Sequence, residues 1–431
     1  MLFPFTIQKE RLHRRNLLFK TYPGKDLLHN PFYILEVTQR DNKQRIIEQA
    51  EEQSLLSDPE KCQNLQNTLI FPRKRISAEI AWLPGVSPNR VNDTLLLFET
   101  SAGNRTGNSK VTSFASNDSL VSVLLRIPYA ESETLADEVL ESLISPDQHS
   151  KKEDNIVEIS KFLGFDKLIP IARANLLAAR MLRLPDYTPD IVVKGIFAIA
   201  QTYDKINPSE VRAVLNDERQ QSGFPEITHL SDIKTAIQDI RHYYKQVIKF
   251  VLESIYTVKE RAQTVMTIVE SATENNPSNL PILIEDAIDS YEDIAQTSLV
   301  KEEKKIEEYD KKLRIAAENE EHESTFSRTV DGLNDTVKDW VIIAQPIQIN
   351  KRRRGLKHAA SHDISERVRL LAIFLFNEYD KLNSSQKILN TLNKVFSEFP
   401  EITERITADL ETLNKISQQR ENNSQVSLFD N

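Results

Sequence analysis

A chain of 431 residues is long enough for two or three cores, and a formal charge of −9 argues against binding nucleic acid through the chain as a whole. Its 39% hydrophobic and 28% charged residues suit a helical assembly with a large wet surface; the best apolar run, Leu370 to Phe376, is too short to span a membrane. The single cysteine, Cys62, excludes an internal disulfide and a thiolate metal cluster, and the nine glycines form no phosphate loop, dinucleotide turn or nucleophile elbow.

Met1-Leu-Phe-Pro-Phe precedes the basic Lys9 to Arg15, the reverse of a secretory signal, which predicts a cytoplasmic protein. Asn30 as cap and Pro31 in the first turn open a short helix reaching Val37. Asp41 or Asn42 caps a second helix with Ile46, Ile47, Ala50 and Ser54 on one stripe. Ser57-Asp58-Pro59 makes a turn, and a third helix follows with Cys62, Leu65 and Leu69 on its apolar face, where a small buried thiol is expected. Pro72 starts a fourth, with Ile76, Ile80 and Leu83 inward and Arg73, Lys74 and Arg75 outward, and Pro84-Gly85 ends it.

Glu99 to Ser119 is a polar linker, followed by short helices over Leu120 to Ile127 (where a strand is an alternative) and Thr134 to Ile144. Amphipathic helices then cover Leu168 to Leu184, Ile191 to Tyr203, Ser209 to Leu215, and a long stretch capped by Ser231 and reaching about Val258. Ile191 to Tyr203 is apolar nearly all round and is expected at the centre of its bundle. Lys301 to Glu323 reads as a solvated charged connector, and helices resume from Thr329 to Ile416. The expected fold is all-α, divided at 27–89, 90–155, 156–300, 301–325, 326–416 and a flexible tail at 417–431.

The Asn-Pro-Phe-x-Ile-Leu start, the helix–turn–helix spacing, and Pro72-Arg73-x-Arg75 followed by Ala78-Glu79 and Trp82 resemble the J domain of DnaJ-type co-chaperones. Ala172-Arg-Ala-Asn-Leu-Leu-Ala-Ala and the segment from Trp340 through Ala344-Gln-Pro-Ile-Gln to the helix Arg367 to Asn377 look like segments appended to J-like domains in bacterial proteins. The resemblance implies a helical unit that docks on a DnaK-type chaperone. In that family, however, the turn carries His-Pro-Asp and the preceding helix is basic. Here the turn is Ser57-Asp58-Pro59, and Lys43 and Arg45 are followed by Glu48, Glu51 and Glu52. The implied work is therefore non-enzymatic: a co-chaperone-like adaptor or scaffold contacting a chaperone or other protein through Lys43, Arg45, Asp58, Arg73 and Arg75, with no cofactor. A small helical domain that merely reuses this packing is the alternative.

Four further signals have plainer readings. His358 and His362, with Asp363, have the spacing of metal ligands, but Ala359 stands where a zinc-protease glutamate would, so a polar helix entry is expected and no metal is assigned. Lys351-Arg-Arg-Arg354 could meet phosphate, an acidic partner or the acidic Lys301 to Glu323 helix, and a solvated turn or an intramolecular pairing is the expected reading. Ser231-Asp-Ile-Lys234 matches Ser-x-x-Lys, yet Ser231 serves as a helix cap. The tail residues Gln425, Leu428 and Phe429 resemble the peptide by which bacterial replication and repair proteins dock on the sliding clamp. A frayed terminus is the bland alternative there, and a clamp-tethered DNA-metabolism accessory is the second functional reading. An unrecognised enzyme is the third class, with no catalytic residues assigned.

Overall fold

Proline and asparagine mark where helices begin. The computed structural model describes residues 3–89, 91, 169–184, 187–275 and 280–429, and within these the side chains of 9–89, 91, 169–184, 187–273 and 280–422. The expected linker at 90–155, its short helices and the start of the central domain up to 168 lie outside the described residues. So do the side chains of Gln425, Leu428 and Phe429.

The described residues form fifteen α-helices, one 3-10 turn (Leu27–His29) and no strand, an all-α fold. None of the described helices is long and apolar enough to cross a membrane. The chain divides into two compact units, Met1–Ile255 with Ser271–Ala287, and Tyr256–Glu270 with Ile288–Asn431.

The first unit holds α1 (Phe3–Thr21), α2 (Pro31–Ile34), α3 (Lys43–Ser54), α4 (Pro59–Ile70), α5 (Pro72–Ile80), α6 (Pro170–Met181), α7 (Pro189–Tyr203), α8 (Pro208–Ser222) and α9 (Leu230–Glu253). Six of these, α2 and α4 to α8, begin with proline, whose missing N–H costs nothing in a first turn. Asn30, Asn42, Asp58 and Asn207 supply side-chain caps. The long helix α9 starts after His229 without a side-chain cap, so Ser231 is a first-turn residue and not the expected cap.

Ile46, Ala50, Cys62 and Leu69 pack together, as their spacing predicts, with Phe32, Leu35 and Trp82 in the same cluster. The same core also takes in Ala172, Leu176 and Ala179 of α6 and Phe224 after α8. Residues 27–89 thus do not close a core of their own. Some sixty residues bury too little surface to be secure alone, and here the rest of the unit completes them. Two more features depart from expectation. The nearly apolar α7 buries one face, including Val192, Ile196 and Ile199, while Lys194 and Gln201 remain exposed. And α1 precedes the first expected helix; its Arg11 donates 2.8 Å to Ser254 O and its Arg14 pairs with Glu253 at 3.0 Å, placing cations where the α9 dipole ends.

After α10 (Val258–Asn275), helix α11 runs unbroken over Ile282–Glu318. Its charged half is not a freely solvated connector: Ile306, Leu313, Ala316 and Ala317 are buried, so a narrow apolar stripe is packed while Glu302–Lys305 and Asp310–Arg314 pair along its half-buried margins. The second unit adds α12 (Glu323–Arg353), α13 (Ala359–Tyr379), α14 (Leu382–Val395) and α15 (Pro400–Phe429). Its core is built on Trp340, Phe326, Leu371, Ile388 and Phe396. Asp380, in the left-handed region at φ 52°, turns the chain between α13 and α14.

Candidate partner-binding surface

Helices α3 and α4 pack side by side and are joined by Leu55-Leu56-Ser57-Asp58. Backbone bonds from Leu56 and Ser57 to Gln53 O tighten the end of α3, and the Asp58 carboxylate accepts from Glu60 N at 3.0 Å to start α4. The turn is therefore ordered by local chemistry. At its tip Leu55 and Leu56 are 85% and 79% exposed, the most exposed large apolar side chains among the described residues. Isolated exposed leucines are ordinary, but two adjacent ones on a capped turn form an apolar point.

The five residues expected to face a partner do not form one patch. Lys43, Arg45, Asp58 and Arg73 are exposed. Lys43 and Arg45 open α3, whereas Asp58 follows its far end, roughly 16 Å along the helix at 1.5 Å per residue. Arg73, at the start of α5 after the return of α4, belongs with the Lys43 end.

Arg75 is a correction: it points inward and is fully buried. Its guanidinium donates to Glu79 at 2.7 Å and to Gln39 O at 2.7 Å, and lies 3.9 Å from the Phe224 ring centroid. Burial draws Arg75 below its ordinary value, against the opposing charge and hydrogen bond of Glu79. Glu79 is shared with Arg219 of α8, which donates to it at 2.8 Å and also to Pro72 O and Pro225 O. A run of three basic residues reads as a solvent face; what reverses Arg75 is this Arg–Glu–Arg triad. The sequence offered one clue, the i, i+4 spacing of Arg75 and Glu79. Arg219 gave none. Arg75 is thus a structural residue that ties α5 to α8.

Beside the turn lies a groove of about 780 Å³ lined by Asp58, by Lys61 and Leu65 from α4, and by His13, Phe19 and His29. Below His29, the carboxylate of Asp26 accepts from Arg183 at 2.8 and 2.9 Å and approaches His29 Nδ1 at 3.0 Å. Burial alone would raise this carboxyl, but the His29 hydrogen bond and the charge and bonds of Arg183 outweigh it and lower it from 3.8 to about 2. The ionised form therefore stabilises the folded state by roughly 2 kcal/mol. With the folded value below the unfolded one, that contribution is complete above about pH 4 and is lost as pH falls toward 2. Denaturant midpoints taken from pH 5 to 2 should fall in this window, and the fall should be shallower in Asp26→Asn, which starts less stable.

The other sequence signals resolve into local contacts. His358 Nδ1 lies 2.6 Å from Ser361 Oγ, with its ring against Trp340, and burial lowers its proton affinity. No group of three metal-ligating side chains occurs among the described residues. Lys351 faces Glu292 and Arg354 faces Asp289, each at 3.4 Å, while Arg352 donates to Glu398 O. The basic run is thus paired within its own unit, though with the start of α11 and not with the charged stretch beyond residue 301.

No family model, curated protein or solved structure matches the chain.

Proposed function

We propose that this protein is a non-enzymatic adaptor or scaffold of co-chaperone type, working in the bacterial cytoplasm, whose J-like helical unit docks on a DnaK-type chaperone or another assembly partner. The α3–α4 turn carries the reading. By the sequence resemblance it corresponds to the turn that carries the trigger in J domains; it is capped by Asp58 and, without a histidine, presents Leu55 and Leu56 to solvent just before Ser57. An apolar point flanked by a carboxylate suits insertion into a partner cleft, where a few desolvated side chains supply most of the affinity. The loss of the histidine accords with docking that leaves the partner's ATPase cycle unaccelerated.

The test uses the full chain and a DnaK-type chaperone in biolayer interferometry with parallel ATPase assays. Saturable association is expected, weakened at least tenfold by the double change Leu55→Ser and Leu56→Ser, with an ATPase rate that does not rise. Absence of association, or association indifferent to both leucines, would overturn the chaperone assignment.

A further inference from the structure

The second unit carries a groove of about 810 Å³ between α12 and α14. Lys338, Val341 and Ile342 form one wall, spaced so that they share a face of α12. Lys387, Asn390 and Thr391 repeat the same spacing on α14, and Lys394 lies one turn further along that face. Val341 is buried while Ile342 is 42% exposed, so the floor is apolar and open. Three lysines line the groove, and no aspartate or glutamate does. Asp335 and Asp331 pair with two of these lysines from just outside the lining, so in a chain of net charge −9 the groove keeps a small positive excess.

The lysines are available. Lys338 pairs with Asp335 and Lys387 with Asp331, but these are surface pairs with every partner well exposed, which contribute little and exchange readily. Lys394 is exposed.

The chemistry separates two classes of anionic occupant. A single-stranded nucleic acid needs aromatic or guanidinium planes for its bases, and the groove offers neither. An aliphatic floor rimmed by ammonium groups and side-chain amides instead matches a helix with an apolar stripe and acidic flanks. No strand edge exists among the described residues to template an extended peptide. From Asn383 to Lys394 the α14 wall spans roughly 16 Å, about three turns of an occupying helix.

We infer that the α12–α14 groove is a docking site for an acidic amphipathic helix of a partner protein. It lies wholly within the second unit and stands independently of the chaperone reading.

The probe is a fluorescein-labelled helical peptide with leucines at i, i+4 and i+7 and glutamates on the flanks, titrated with the full chain by anisotropy. A peptide of the same composition, reordered to abolish the stripe, and an oligothymidylate are the comparisons. The striped peptide should bind saturably and at least tenfold more tightly than the reordered one. Ile342→Asp and Lys394→Glu, both surface changes, should each weaken it tenfold or more with helix content unchanged. Equal binding of the two peptides, no binding, displacement by oligothymidylate, or indifference to both substitutions would overturn the inference.

Discussion

Replacing Glu79 with alanine should destabilise the first unit by about 3–5 kcal/mol, the range for breaking a buried ion pair by removing one partner. Glu79 is the single anion between two guanidinium groups, and the side chains of all three residues are at most 2% exposed. Alanine leaves Arg75 and Arg219 facing each other without water. Arg75 retains its bond to Gln39 O and the Phe224 and Phe32 rings, and Arg219 keeps two backbone carbonyls, so the loss falls on charge and not on every contact. Glu79→Gln, which keeps acceptor capacity but removes the charge, should fall between wild type and alanine. Urea denaturation followed by circular dichroism gives the magnitude, and hydrogen exchange in peptides from α5 and α8 localises it. A cost below about 1 kcal/mol would mean that the triad is wet and Arg75 free to face a partner after all.

The contrast between Arg73 and Arg75 shows what sequence could carry. Helix starts were legible because each has a local cause: Asn30-Pro31, Asn42, Asp58-Pro59 and Pro72 cap or initiate within a residue or two. Inward faces at Ile46, Ala50, Cys62 and Leu69 were legible from spacing alone. The direction of Arg75 was not, since charged residues are buried only when paired and one of its cluster mates lies 140 residues beyond Glu79. The α11 stripe was missed for a related reason: Ile306, Leu313 and Ala316 are too sparse to raise mean hydropathy, yet they lie along one side. Unit boundaries depend on such distant contacts, so Ala172, Leu176 and Phe224 entered the core of residues 27–91 unannounced. Of the candidate surface, Lys43, Arg45, Asp58 and Arg73 are exposed as expected, while nothing in the sequence pattern singled out Leu55 and Leu56.

Asn175→Leu should be comparably damaging, by roughly 3 kcal/mol or more, although the two side chains share the same branching and number of heavy atoms. The Asn175 amide donates to Ile80 O at 2.7 Å and to Trp82 O at 3.1 Å, while its oxygen accepts from Tyr244 at 2.6 Å. Carbonyls at the end of α5 have no intrahelical partner, and here α6 supplies one from about ninety residues away. Leucine would leave two buried carbonyls and a fully buried hydroxyl unpaired, each costing about 1–3 kcal/mol. Burial already holds the Tyr244 phenol well above its ordinary value, so it cannot relieve the loss by ionising. Tyr244→Phe, which removes one partner but leaves both Asn175 donors bonded, should cost only about 1 kcal/mol. Asn175→Asp should resemble leucine at neutral pH, because a carboxylate would face two carbonyl oxygens, and should recover partly in mild acid as protonation restores a donor. If urea midpoints instead put Asn175→Leu within about 0.5 kcal/mol of wild type, α5 would not depend on α6, and residues 27–89 would have to be regarded as a self-sufficient domain.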